Sequence, residues 1–326
     1  MTIALTGATG NIGGAVARAL AADGVPFRMI VRDASRAPEL PGADVAVATY
    51  GDATASRAAL EGVDLLFMVS GAEAEDRLAQ HRTFVGAAAA AGVQHVVYTS
   101  FAGAAADATF TLGRDHWATE EAIRATAMAH TFLRDSFYLD FVEDLVGEDG
   151  VIRGPAADGA MAAVARADVA RVATAVLRDP SAHADRTYDL TGPEAITLAQ
   201  AAATVSEVRG RTVTYHPETL DEAYASRARW EPEPWQADAW VSTYTAIAEG
   251  ALAQVSGDVE RVTGQRPMTL REVLEASALS ACGAGRADRT DRADRPTATA
   301  PGGRRGPRGR GATAPGVRRR SRRTRA

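Results

Sequence analysis

The chain has 326 residues, a formal net charge of −5 and 46% hydrophobic side chains, enough for one large α/β domain plus a smaller lobe with its own core. A single cysteine, Cys282, excludes an intrachain disulfide or a cysteine metal site and points to a reducing cytoplasm. No run of about 18 apolar residues is present to span a membrane, and with a strand at the very start no leader peptide is expected.

Ile3-Ala4-Leu5-Thr6 reads as a strand that runs into Gly7-Ala8-Thr9-Gly10-Asn11-Ile12-Gly13 and then a helix over 12–22. Only residues without a Cβ let the backbone turn so tightly and come close to a pyrophosphate, whose charge the N–H groups of the helix start then meet. Strand before and helix former after are the context that gives this motif meaning. Gly7, Thr9, Gly10, Asn11, Ile12 and Gly13 are therefore assigned to a dinucleotide cofactor. Further strands are predicted at 27–31, 45–48, 65–69, 95–99 and 131–133, alternating with helices at 54–61, 76–91 and 115–127. That alternation predicts a doubly wound parallel sheet of Rossmann type.

Past residues 147–150 the pattern changes. A segment near 160–178 has Asp168 placed as a helix N-cap, a returning strand follows near 186–192, Thr197-Leu198 opens a helix, and 212–215 reads as a strand. Trp230, Trp235 and Trp240 recur every five residues in a polar stretch, as a lid or a partner surface, the spacing alone favouring neither. The predicted organisation is a Rossmann domain over 1–154, completed by the strand near 186–192, a smaller C-terminal substrate lobe over 155–185 and 193–279, and an Arg-rich tail over 280–326. Residues 286–326 hold 14 arginines against 3 aspartates and too few large apolar side chains to fold. The tail either contacts nucleic acid through counterion release or is an out-of-frame extension of GC-rich origin, the second reading being favoured.

Nineteen residues beyond Gly13, at the end of the second strand, stands Arg32. An acidic residue there would grip the two ribose hydroxyls of NAD, whereas a guanidinium suits a 2′-phosphate. NADPH is accordingly expected over NADH, with Asp33 on the ribose as the mixed alternative. Asp52, Ser70, Gly71, Thr99 and Ser100 stand at the other strand ends and are expected to line the groove from adenine toward nicotinamide, although each is also placed to cap a helix.

These features, with Tyr50-Gly51-Asp52, Gln80-His81-Arg82, Tyr98-Thr99-Ser100, His116 with Thr119-Glu120, Arg166-Ala167-Asp168 and Tyr188-Asp189-Leu190-Thr191-Gly192, make the chain resemble the NmrA-like, atypical short-chain dehydrogenases over about residues 1–279. Within them it is most similar to the NADPH-dependent type-2 quinone oxidoreductases. The resemblance implies that Arg32 meets the 2′-phosphate and that Ser136, Phe137 and Tyr138 flank the nicotinamide. The departure is at Asp135-Ser136-Phe137, where the family usually carries Asn-Gly followed by Trp or Phe.

Most reductases of this superfamily acidify a tyrosine with a lysine four residues on. That pair is absent, because all 36 basic residues counted are arginines. At the matching helix start the chain offers His116 and, on the same face, Glu120. Alcohol dehydrogenation and sugar epimerisation need a strong proton acceptor and are thereby disfavoured. Quinones fit better, since they accept hydride readily and the reduced form leaves as a stabilised phenolate. The expected function is NADPH-dependent hydride transfer to a quinone or similar electron-poor carbonyl or enal, with His116 and Tyr138 as candidate catalytic groups. His116 either serves the acceptor oxygen or satisfies a helix end beside Trp117. The alternative is a non-catalytic NAD(P)-sensing regulator acting through a protein partner. A planar small-molecule substrate is expected, stacked on Phe101, Phe110, Phe137, Tyr138 or Phe141; no metal and no membrane contact are expected, and nucleic acid only through the tail.

Overall fold

Strands β1 (Ile3–Thr6), β2 (Phe27–Val31), β3 (Ala43–Val47), β4 (Leu65–Met68), β5 (His95–Phe101) and β6 (Ala129–Asp135) alternate with helices α1 (Asn11–Ala22), α2 (Ala53–Ala59), α3 (Arg77–Ala91) and α4 (Thr111–Arg124) in a computed structural model that describes residues 1–278. The strands are near-continuous apolar runs, Leu-Leu-Phe-Met in β4 for example, because both faces of the sheet are covered. The second half adds β7 (Val151–Gly154), β8 (Ala160–Met161), α5 (Arg166–Arg178), β9 (Arg186–Leu190), β10 (Ile196–Thr197), α6 (Leu198–Arg209), β11 (Thr214–Pro217), α7 (Leu220–Arg227), α8 (Pro234–Ala248) and α9 (Asp258–Thr263). A closing helix covers 270–278.

Seven strands form one sheet in the order β3-β2-β1-β4-β5-β6-β9, every pairing parallel. The direction of winding reverses between β1 and β4, and the crevice outside the carboxyl ends there is where such sheets take ligands. One face of the sheet packs on α1, α5 and α9 through Val16, Leu20, Val169, Val172, Val176 and Val259. The other packs on α2, α3 and α4 through Leu60, Phe84, Val85 and Ile123, with Tyr98 and Phe132 from the strands. A third apolar cluster, including Ile152, Met161, Leu198, Val205, Ile247 and Leu252, is the core of the smaller lobe. Its two-stranded pairs are β7 with β11 and β8 with β10.

Local chemistry explains the lobe's helices. α6 and α7 each open on a capping box, Thr197 with Gln200 and Thr219 with Glu222, and α8 opens on Pro234, which cannot continue a strand and loses no hydrogen bond at a helix start.

Three expectations are corrected. Residues 166–178 were assigned to the lobe, but α5 lies on the main sheet beside α1, because its apolar face at Val169, Val172, Ala173 and Val176 is complementary to it. Asp168 is not the N-cap of that helix. Ala165 is, and the buried Asp168 carboxylate accepts the Met268 N–H at 2.7 Å and pairs with Arg171. α4 begins at Thr111 rather than near 115. The tail read at 280–326, with Cys282, lies outside the described residues. Among the described residues no helix is long and apolar enough to cross a membrane.

Candidate active site

The strand ends converge as the topology requires. β1 passes into Gly7, whose φ of +69° is a left-handed conformation that L side chains rarely adopt. The Gly10 N–H returns to the Gly7 carbonyl at 2.9 Å, closing the turn, and Gly10 becomes the N-cap of α1. A Cβ on Gly13 would lie 2.4 Å from the Gly7 oxygen and 2.7 Å from the Thr6 oxygen. α1 has no side chain capping its amino end and no acidic residue in its first turn, which leaves its N–H groups and positive dipole end to an anion. Thr9, Gly10 and Asn11 are exposed there. Ile12 turns its side chain into the core, so only its backbone is open to a ligand.

At the end of β2, Arg32 is exposed and makes no hydrogen bond or ion pair among the described residues. Asp33, the rival for the ribose, is occupied: its Oδ1 accepts the Ser35 N–H at 3.0 Å and the Ser35 hydroxyl at 2.7 Å, which hold its carboxyl below the ordinary value. Asp52 caps α2, accepting the Ala55 N–H at 2.9 Å.

The centre of the groove is held from beneath. Thr6 Oγ1 lies 2.6 Å from the Tyr50 hydroxyl, which donates to the Val69 carbonyl at 2.5 Å, while the Val69 N–H donates back to Thr6 Oγ1 at 2.9 Å. The next residue, Ser70, donates its N–H to Thr99 Oγ1 at 2.8 Å. Gly71 is then gripped on both backbone groups by side chains of α3. Its N–H donates to His81 Nε2 at 2.9 Å, and its carbonyl accepts from Arg77 Nε at 3.0 Å. Sequence reading gave no role to Tyr50, Arg77 or His81; the Gln80-His81-Arg82 and Tyr50-Gly51-Asp52 motifs were the available signal for two of them, and nothing marked Arg77.

Hydrogen-bond roles fix both histidine tautomers. Gly71 N–H can only donate, so His81 carries its proton on Nδ1, which faces Thr119 Oγ1 at 2.9 Å. Arg77 Nη2 likewise can only donate to His116 Nε2, 3.0 Å away, so His116 Nδ1–H points to the Tyr98 hydroxyl at 3.1 Å. His116 is only 7% exposed. Burial first, then the neighbouring Arg77 charge, holds it well below its ordinary value. It stands as a neutral imidazole with both nitrogens engaged inside the α3–α4–β5 network.

These histidines make the fold acid-sensitive. Burial and Arg77 push His81 down from 6.5 to about 3, so between those values the unfolded chain binds a proton that the folded one refuses. Stability is complete above the unfolded value and falls with pH through this window, by about 1.4 kcal/mol per pH unit for each such group, with His116 acting in the same direction. Melting temperatures from pH 7 down to pH 4 are expected to drop more steeply for the native chain than for His81→Gln; parallel curves would show that His81 is not responsible.

Glu120, the other half of the predicted pair, is fully buried and carries a different load. It accepts the Ser100 hydroxyl at 2.6 Å and Arg134 at 2.9 and 2.7 Å, with Arg124 at 3.1 Å. Ser100 therefore turns its hydroxyl to α4 rather than to the groove. Beyond β5, Phe101 and Phe110 lie 4.8 Å apart and, with Ala102, Ala246 and Leu252, wall a cavity of about 60 Å³. At the end of β6, Asp135 and the following Ser136 are buried, Phe137 is half-buried, and the Tyr138 hydroxyl donates to Asp135 Oδ2 at 2.9 Å. Tyr138 and Phe141 lie under the Arg166 guanidinium. Of the three tryptophans, Trp240 in α8 donates to Glu73, in the loop just past Gly71, at 3.1 Å and meets Trp230 edge-on.

The chain matches the profile of the NmrA-like family over residues 1–226. It is 33% identical over 282 residues to the NAD(P)H azoreductase of Xenophilus azovorans, spanning 85% of this chain and 98% of that protein. It is also 33% identical over 279 residues to quinone oxidoreductase 2 of Escherichia coli, spanning 83% and 96%. Among solved structures, the NADPH complex of the E. coli NADPH-dependent quinone oxidoreductase superposes with a TM-score of 0.77 at 32% identity, covering 84% of this chain and 99% of that one. The triphenylmethane reductase of Citrobacter sp. complexed with NADP(H) gives 0.74 at 31%, covering 85% and 99%.

Proposed function

This chain belongs to the NmrA-like family and is an NAD(P)H-dependent oxidoreductase, and from that premise we propose that it transfers hydride from NADPH to a quinone or a similarly electron-poor carbonyl, enal or azo compound. The glycine cradle fits a pyrophosphate, since a Cβ at Gly13 would fill the space that brings α1 up to the turn. Gly7, Thr9, Gly10, Asn11, Gly13 and the Ile12 backbone would hold that pyrophosphate, Arg32 the 2′-phosphate, and Ser70, Gly71, Thr99, Ser136 and Phe137 the nicotinamide end. When bound, NADPH supplies the hydride.

The observation that carries the reading is how the polar groups near the strand ends are used. His116 is neutral with both nitrogens engaged, the Ser100 hydroxyl is donated to buried Glu120, and no lysine exists to acidify a tyrosine. Such a site positions and desolvates its reactants without a strong acid or base, which suits an acceptor whose reduced form is a stabilised anion. We place His116 as a positioning group for the loop at Gly71, acting through Arg77, and keep Tyr138, whose hydroxyl donates to buried Asp135, as the remaining candidate proton donor.

NADPH oxidation with purified protein against benzoquinone, an enal and an azo dye tests this reading. Turnover with at least one acceptor is expected, and NADPH bound tightly with none reduced would remove the reading. In the same assay Arg32→Ser is expected to weaken NADPH by about 10–100-fold, the equivalent of one charge-assisted phosphate contact, and to leave NADH within about twofold. Equal loss for both cofactors would take Arg32 away from the phosphate.

A further inference from the structure

Between the carboxyl end of β5, the start of α4 and the end of α8 lies a cavity of about 60 Å³. The space exists because Ala102, Gly103, Ala108, Gly113, Ala246 and Ala251, which line it, have no side chain beyond a methyl group. Phe101 and Phe110, their ring centres 4.8 Å apart, and Leu252 supply the larger apolar walls. The polar atoms around it are already used. The Phe101 carbonyl accepts the Ala104 N–H at 3.1 Å, the Phe110 carbonyl the Gly113 N–H at 2.9 Å, the Ala246 carbonyl the Ala251 N–H at 2.9 Å and the Leu252 carbonyl the Ala162 N–H at 2.7 Å. The Ala108 carbonyl accepts Arg114 Nε at 2.7 Å, and the Thr109 hydroxyl donates to Glu249 at 2.5 Å. A water held in a cavity needs about two to four polar partners; with these groups engaged, the space suits an apolar occupant.

Its place in the fold selects that occupant. Phe101 stands in register with Asp135, and the Ala102 N–H donates to the Asp135 carbonyl at 2.9 Å. The next residues on β6 are Ser136 and Phe137, which the reading above gives to the nicotinamide end. Phe101, Ala102, Thr109 and Phe110 are only half-buried, so the cavity is not sealed along the β5 and α4 wall. Ala246 and Leu252 are buried. α8 is tied to that wall by Ser242, which accepts the Thr111 N–H at 3.2 Å, and the Glu249 that follows it takes the Thr109 hydroxyl.

We propose that this cavity is a side-group subsite for the acceptor, taking a short apolar substituent among Phe101, Phe110 and Ala246 while the electron-poor ring or carbonyl lies at the nicotinamide end. This rests on the reductase reading above. At about 60 Å³ the space is well under the roughly 150 Å³ that takes a benzene ring, so it accepts a methyl, ethyl or isopropyl branch and refuses a phenyl. The favoured substrates are therefore quinones or enals that carry a short alkyl branch. No bond is made or broken in the subsite. Burial of the branch strengthens binding by about fourfold per methylene, and Ala246 sets the limit on its size.

The test measures KM for benzoquinone and its methyl, isopropyl and phenyl derivatives with the native chain, Ala246→Leu and Ala102→Val, the last filling the cavity from a second element should the first fail to fold. In the native chain KM is expected to fall about fourfold from benzoquinone to the methyl derivative and about tenfold or more to the isopropyl one, with no further fall for phenyl. Each filled variant is expected to raise KM for the isopropyl quinone about tenfold and to move benzoquinone within about twofold. Comparing variant with native on the same quinone cancels the quinones' different reactivity. Xenon reads the cavity without turnover: its NMR shift is expected to respond to the native chain and to lose that response in the filled variants. NADPH affinity, by fluorescence titration, is expected within about twofold in all three, which checks that the variants fold. No xenon response in the native chain, or a KM for the isopropyl quinone that filling leaves unchanged or moves no more than that for benzoquinone, would overturn the subsite alone. A native chain that binds NADPH and reduces no acceptor would overturn the reductase reading and the acceptor's place in the cavity together, with the xenon response intact.

Discussion

Gly13→Ala is expected to abolish NADPH binding, by about 100-fold or more in a fluorescence titration, corresponding to about 2.7 kcal/mol or more. The cause is backbone against backbone. The new Cβ would stand 2.4 Å from the Gly7 oxygen, 2.5 Å from the Gly7 carbonyl carbon and 2.7 Å from the Thr6 oxygen, none of which has a rotamer to escape into. α1 must shift away from the end of β1, and the N–H groups proposed to meet the pyrophosphate shift with it. Overpacking of this kind typically costs a further 1–3 kcal/mol, roughly, of stability. Gly86 in α3 is the internal control: a Cβ there meets nothing within 4 Å, so Gly86→Ala is expected to leave binding unchanged and to stabilise by up to about 1 kcal/mol through helix propensity. Native-like NADPH affinity in Gly13→Ala would mean that the turn is not the pyrophosphate cradle.

His81→Leu is expected to separate the two halves of the cofactor. The leucine removes the acceptor of the Gly71 N–H and one of the two partners of Thr119, whose hydroxyl still donates to the Asp115 carbonyl, leaving the Gly71 amide unsatisfied at about 1–3 kcal/mol. Gly71 itself is then held only by Arg77 on its carbonyl, with the preceding Ser70 still donating to Thr99. Affinity for NADPH is expected to fall about 10–100-fold, the same energy expressed at the nicotinamide end. Affinity for 2′,5′-ADP, which would use Arg32 but not the Gly71 loop, is expected to stay within about twofold. His81→Gln, which keeps an acceptor in reach, is expected to recover part of the loss. Parallel weakening of both ligands would show that His81 supports the whole domain rather than this loop.

Much of the fold was legible because its signals are local. The glycine turn, the apolar runs at 27–31 and 65–69, and the capping chemistry at Thr197 each act within a few residues, so reading them in order predicts the parallel sheet and the lobe that follows. Boundaries slipped where a neighbour decides them: α4 starts at Thr111, where its first turn is held by a contact to Ser242 of α8. The placement of α5 was missed for a similar reason. An amphipathic helix announces that it has an apolar face, but the surface that receives that face, here α1 and the sheet, is set by topology.

By itself, the sequence determined the strand, glycine turn and helix start proposed to cradle a dinucleotide, because they are contiguous, and it determined that no tyrosine–lysine chemistry is possible, because the chain has no lysine. Only the tertiary structure decided what the polar side chains do. His116 and Glu120 share a helix face and read alike, yet His116 meets Arg77 from a site 39 residues earlier, while Glu120 meets Arg134, 14 residues later. Each is thereby engaged, since a side chain's partners, and with them its charge state and its freedom to act, come from elements that meet only when the sheet has assembled. The same assembly buried Asp135 and left the Tyr138 hydroxyl donating to its carboxyl, a pairing that no local pattern announces.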